Sequence, residues 1–147
     1  TGVKGDGKRC QPATPQNVPQ SIYRAMSKVT TKPLTERQIQ IQCVGWFRQR
    51  YPEASRVFFS VPNGGARNAW TAKNLKDEGA LSGVADLILL LPRHGYAALC
   101  IEMKKIGGRQ SDSQKVFEQA CKEYKVKYVV CYSLEEFQAV VEEYLEK

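Results

Sequence analysis

Gly83-Val84-Ala85-Asp86 runs into Leu87-Ile88-Leu89-Leu90-Leu91, and seven residues further on comes Ala98-Leu99-Cys100-Ile101-Glu102-Met103-Lys104. Each stretch reads as a strand: an apolar run with an acidic residue at one end. Pro92, Gly95 and the polar residues around them make a hairpin-like connection. If the two strands pair, Asp86 and Glu102 come to lie side by side. Adjacent carboxylates repel unless a cation sits between them, and oxygen-only ligands suit a hard divalent ion such as magnesium or manganese. Glu102 and Lys104 are two apart, so they point to one face of their strand. That places an ammonium beside the cation, where it can hold a water or face a crowded phosphate. The set suits metal-assisted phosphodiester hydrolysis. A lone Asp or a lone Glu-x-Lys is ordinarily surface decoration. Here both carboxylates terminate runs whose other residues call for burial.

Working outward, the flanking segments place these strands in an α/β chain. Thr35 follows Pro33 and can cap a helix, with Gln38 at the capping-box position. Ile39, Cys43, Trp46 and Phe47 recur at helical spacing, Ile41 and Val44 widen the apolar face, and Pro52 ends the run. Residues 57–61 are β-branched and aromatic, a strand. Pro62-Asn63-Gly64-Gly65 is a turn. Asn68 to Glu78 is a helix with Gly79 as its C-cap. Beyond the acidic strands, Ser113 to Tyr124 is a helix with Val116, Phe117 and Ala120 inward. Lys127 to Tyr132 is a strand. Ser133 caps a last helix with Glu136 at the box position, followed by Phe137, Val140, Val141, Tyr144 and Leu145. Helices alternating with strands predict an α/β sandwich with a mixed sheet.

The chain has 147 residues, enough for one domain with a substantial core. Residues 1–31 are polar and rich in Gly, Pro, Gln and Thr. They read as an N-terminal arm, flexible or packed on the domain or a partner, with one short helix over Ser21–Val29; residues 32–147 form the domain. The net charge of +7 suits a polyanionic partner. No apolar run approaches the roughly 20 residues of a membrane span, and no secretory signal pattern opens the chain. Cys10, Cys43, Cys100, Cys121 and Cys131 form an odd set without Cys-x-x-Cys spacing. Cys43, Cys100 and Cys131 lie in apolar stretches and read as small buried hydrophobes, which fits an intracellular, reducing location. The single histidine, His94, makes a zinc site unexpected.

Several blocks in one order resemble a known family. They are Phe58-Phe59-Ser60-Val61-Pro62-Asn63-Gly64-Gly65, Leu75-Lys76-Asp77-Glu78-Gly79, Gly83-Val84-Ala85-Asp86-Leu87, Ile101-Glu102-Met103-Lys104 and Ser113-Gln114. From about Leu34 to Leu145 the chain is similar to a virus-type replication-repair nuclease (VRR-NUC) domain, a branch of the PD-(D/E)XK nuclease superfamily. The compact forms encoded by bacteriophages are the nearest likeness. The resemblance implies a mixed central β-sheet flanked by helices. It implies a Mg²⁺- or Mn²⁺-dependent endonuclease that cuts branched DNA in the manner of a Holliday junction resolvase. It also implies a homodimer, a host-cytoplasmic location if phage-encoded, and no membrane.

Carried over position by position, Asp86 and Glu102 are metal ligands and Lys104 is the catalytic lysine. The Met103 carbonyl completes the metal shell, and Gln114 matches the family's glutamine. Glu36 is the best match for the acidic residue of the first helix, with Gln40 one turn on as the alternate; Glu36 also reads simply as an acid favoured by the helix dipole. Ala85 departs from the proline that family members often carry there, at a position whose side chain does no chemistry. Asn63 and Gly64 offer amides suited to a phosphate. Arg67, Lys73, Lys76, Lys105 and Arg109 flank the acidic site and suit contacts to a DNA backbone, as does Arg93. Ile41 and Val44 are either dimer-interface positions or buried within the monomer. Two other readings stay open: a flap or duplex-end nuclease acting as a monomer, and a non-catalytic DNA-binding module of the same fold.

Overall fold

Thr35 caps the first helix among the described residues, α1 (Glu36–Arg50), through a complete capping box. Its hydroxyl accepts the Gln38 N–H at 3.2 Å, and the Gln38 side-chain oxygen accepts the Thr35 N–H at 2.9 Å. The computed structural model describes residues 33–63 and 69–146. The N-terminal arm with its Ser21–Val29 helix, Cys10, Gly64, Arg67 and the expected helix start at Asn68 lie outside the described residues.

α1 buries Ile39, Cys43 and Phe47. Tyr51 closes it, donating its N–H to the Phe47 carbonyl at 2.8 Å, and Pro52 follows. A 3-10 turn (Ala54–Val57) leads into β1 (Phe58–Ser60), so the strand begins one residue later than its β-branched composition suggests. Then come α2 (Ala69–Asp77), β2 (Leu87–Leu89), β3 (Leu99–Met103), α3 (Asp112–Glu123), β4 (Lys127–Cys131) and α4 (Leu134–Glu146).

The four strands form one mixed sheet in the order β1-β2-β3-β4. β1/β2 and β2/β3 are antiparallel, the second as the expected hairpin, and β3/β4 are parallel through the α3 crossover. α1 and α4 cover one face. There Leu87, Leu89, Leu99, Ile101 and Met103 meet Phe47, Phe137, Val141 and Tyr144 in the main core. Phe47 stacks on Phe58 with ring centroids 4.0 Å apart. Burying each such side chain contributes about 1.5–3 kcal/mol. α3 covers the other face through Phe117 and Cys121, packed on Ala85, Cys100, Ile88 and Tyr128. β3 is therefore buried on both faces, and Glu102 is its one charged residue.

Two helices depart from the expected detail. α3 is capped by Ser111, whose hydroxyl accepts the Gln114 N–H at 3.3 Å. Its inward residues are Phe117 and Cys121, four apart, while Val116 is 71% exposed. In α4 the Ser133 hydroxyl accepts the Glu136 N–H at 3.2 Å, but the Glu136 carboxylate reaches past the cap to the Tyr132 N–H at 2.8 Å. Ile41 stands 55% exposed, whereas Val44 packs against the core. Cys43, Cys100 and Cys131 are buried as expected, and Cys121 joins them. Burial pushes the thiols of Cys43, Cys100 and Cys131 up to about 12, which leaves them unreactive near neutral pH. Among the described residues, no helix is long and apolar enough to cross a membrane.

Candidate active site

The β2/β3 register pairs Leu87 with Ile101, and one step further sets Asp86 opposite Glu102 at the strand ends. Glu102 is fully buried, Lys104 is 9% exposed and Asp86 is half-buried. Asp86 Oδ2 accepts the Met103 N–H at 3.0 Å, which fixes that carboxylate against β3.

The two oxygens of Glu102 differ sharply. Oε1 accepts from both Lys104 Nζ and Gln114 Nε2. Oε2 is buried with no hydrogen-bond partner. Burial pushes the Glu102 carboxyl above its ordinary value, the Lys104 ammonium pulls it back, and the Asp86 charge raises it again. The folded chain thus holds the Glu102 proton more tightly than the unfolded chain does. Stability of the metal-free protein falls as pH rises through that raised value and the carboxyl ionises. A buried, unpartnered carboxylate oxygen beside a second carboxylate fits a shared cation or proton.

The donor set fits a hard divalent ion: Asp86 and Glu102 carboxylates, with the Met103 carbonyl adjacent and 3.5 Å from Lys104 Nζ. No third acid joins them; among the described residues no group of three or more His, Cys, Asp or Glu side chains could hold a metal. Glu36 lies nearby, its Oε1 accepting the Lys105 N–H at 3.2 Å, one residue beyond Lys104. Gln40 lines the same groove as Glu36 and Asp86.

Gln114 has two roles. Its amide nitrogen bonds Glu102, while its carbonyl oxygen accepts the Ser111 N–H at 2.8 Å and completes the α3 cap. Gly83 sets that helix start. With φ +84 it lies so close that an added Cβ would sit 2.3 Å from the Ser113 carbonyl and 2.7 Å from Gln114 N. Only glycine fits there. The pattern Ser111-x-x-Gln114 is a capping-box signature legible in the sequence, whereas the Gly83 contact is not.

Two grooves meet at the site. One, of about 720 Å³, is lined by Asn63, Lys76, Leu81, Gly83, Ser113 and Gln114. The other, of about 700 Å³, is lined by Glu36, Arg37, Gln40, Arg48 and Asp86, and shares Val61, Pro62 and Asn63 with the first. Asn63 donates its side-chain amide to the Val84 carbonyl, bracing the segment that carries Asp86. Lys73, Lys76, Lys105 and Arg109 are exposed. Arg37 and Arg48, which sequence reading had not singled out, add positive charge to the second groove. His94 is exposed in the hairpin, its Nε2 3.1 Å from the Tyr144 carbonyl.

A mixed four-stranded sheet with flanking helices, and paired acids with a lysine at one sheet end, define an α/β nuclease-like fold. The VRR-NUC domain family matches residues 26–135. The chain belongs to the VRR-NUC family of nucleases. A solved structure described as a VRR-NUC domain protein superposes with a TM-score of 0.68 at 23% identity, covering 78% of this chain and 91% of that one. No curated protein matches the chain.

Proposed function

We propose that this chain is a divalent-metal-dependent DNA endonuclease that cuts branched DNA, with a four-way junction as its preferred substrate. The observation that carries the reading is the buried Glu102 carboxylate, with Oε1 doubly bonded and Oε2 bare beside Asp86. Asp86, Glu102 and the Met103 carbonyl would hold Mg²⁺ or Mn²⁺. The bound ion would supply Lewis-acid polarisation of the phosphate and acidify the attacking water.

The chain's own residues do the rest. Lys104, anchored on Glu102, orients the water for in-line attack and offsets charge developing on the phosphate. Gln114 holds the Glu102 carboxylate in place. Glu36 holds the backbone at Lys105, beside the lysine. Lys73, Lys76, Lys105 and Arg109, joined by Arg37 and Arg48, face the DNA backbone and read its shape rather than its bases. Gly64 and Arg67 complete the proposed DNA contacts.

A homodimer matches the two-fold symmetry of a four-way junction and lets opposing strands be cut in concert. The exposed Ile41 is the stronger α1 candidate for that interface, since Val44 is half-buried and packs against the core. The four buried free thiols among the described residues suit an intracellular, reducing location.

The test is a cleavage panel of four-way, flap and linear duplex DNA with Mg²⁺ or Mn²⁺, alongside the mass in solution. The reading expects a dimer that cuts the junction first. A monomer that cuts flaps or duplex ends and leaves junctions intact would replace it with the monomeric nuclease. DNA binding without any cleavage would leave only a binding module.

A further inference from the structure

Ile106 is the most exposed large apolar side chain among the described residues, at 88%. Single surface hydrophobes are ordinary. What sets this one apart is where the chain holds it. Lys105-Ile106-Gly107-Gly108 is a tight turn closed by the Gly108 N–H on the Lys105 carbonyl at 2.8 Å, with Gly107 at φ +81. Glycine with positive φ at the third position is the signature of a type II turn, which leaves the second residue at the tip. The turn is tied down on both sides. Glu36 Oε1 accepts the Lys105 N–H, and a Cβ on Gly108 would lie 3.4 Å from Lys104 Cδ and 3.5 Å from Glu36 Oε1. The tip therefore projects from a base packed against the lysine of the site. Lys105 precedes the tip and Arg109 follows the turn, and both are exposed cations. A stiff β-branched side chain between two phosphate-seeking cations has the make-up of a wedge that enters a base stack.

We propose that Ile106 inserts into the base step next to the cleaved phosphate, unstacking it, and that this insertion makes the enzyme favour DNA whose stacking is weakened at a branch. The inference rests on the nuclease reading. It adds a specificity residue outside the metal centre. Base stacking in continuous duplex opposes the insertion, and at a branch point that opposition is weaker.

The experiment uses branched DNA carrying 2-aminopurine at the mapped cleavage step, bound by the full chain bearing Asp86→Asn so that the strand stays intact. Fluorescence should rise on binding. Adding Ile106→Ser or Ile106→Lys should abolish the rise, while Ile106→Leu should keep it. With Asp86 restored, Ile106→Ser should lower the ratio of branched to linear cleavage by on the order of tenfold. Ile106→Lys separates the wedge from a plain backbone contact, because a cation there would strengthen phosphate binding without unstacking. DNA that binds with the same fluorescence rise in every Ile106 variant would overturn the wedge and leave the nuclease reading intact. No DNA binding at all would overturn both.

Discussion

Gln114 donates its side-chain amide to Glu102 Oε1 while its side-chain carbonyl oxygen accepts the Ser111 N–H and closes the cap of α3. One residue thus couples the start of α3 to the buried acid of β3. Gln114→Ala removes both bonds. The variant should lose about 10–100-fold in activity or in divalent-ion affinity, the usual effect of losing a partner that orients a ligand. Gln114→Glu keeps the capping geometry but sets a third carboxylate against Glu102, and should be worse in activity than Gln114→Ala. Cleavage rates together with a Mn²⁺ titration followed by melting temperature check both; equal activity in the three proteins would remove Gln114 from the site.

Gly83→Ala should damage the site from a distance. The new methyl would collide with the Ser113 backbone, so the α3 start and Gln114 must shift. Such overpacking costs about 1–3 kcal/mol. Urea unfolding should show the loss, and the variant should cleave poorly even at temperatures where it stays folded.

Phe137 is fully buried between α1 and the sheet, in edge contact with Trp46 at 6.0 Å. Phe137→Ala should destabilise the domain by about 3–5 kcal/mol, and Phe137→Leu by less, with the midpoint of denaturation as readout. This change lies on the α1/α4 side of the sheet, opposite Glu102. Metal response per folded molecule should therefore hold.

Affinity for branched DNA should fall steeply with salt, because Lys and Arg contacts to phosphates release counterions. Lys105→Ala or Arg109→Ala should each lower the log–log slope by about one. A flat plot for the parent protein would contradict backbone contact by these cations.

The order of elements was legible because each carries a local signal: capping patterns at Thr35 and Ser133, apolar runs at 87–91 and 98–103, and Pro52 as a stop. The short connection between the two acidic strands makes them an antiparallel hairpin, and that pairing alone sets Asp86 beside Glu102. Finer points needed the fold. The spacing of Val116, Phe117 and Ala120 alone does not say which side of α3 meets the sheet; the contacting side runs through Phe117 and Cys121 and leaves Val116 in solvent. Val57 has strand composition but finishes a 3-10 turn, since packing against the core outweighs its preference. The contact between Gly83 and Ser113 joins residues thirty apart, and the Glu36 bond to Lys105 joins residues sixty-nine apart. No local pattern encodes either. The asymmetry of the two Glu102 oxygens likewise depends on Lys104 and Gln114 arriving from different elements.

The decisive comparison is Glu102→Gln against the parent protein. We measure cleavage of a four-way junction in Mg²⁺ or Mn²⁺ and, in parallel, the ion-induced rise in melting temperature. The expected result is a folded variant that binds junction DNA, shows no ion-induced stabilisation and cuts nothing, with Asp86→Asn behaving alike. Near-parental cleavage by Glu102→Gln, or an undiminished ion response, would contradict a metal centre built on Asp86 and Glu102.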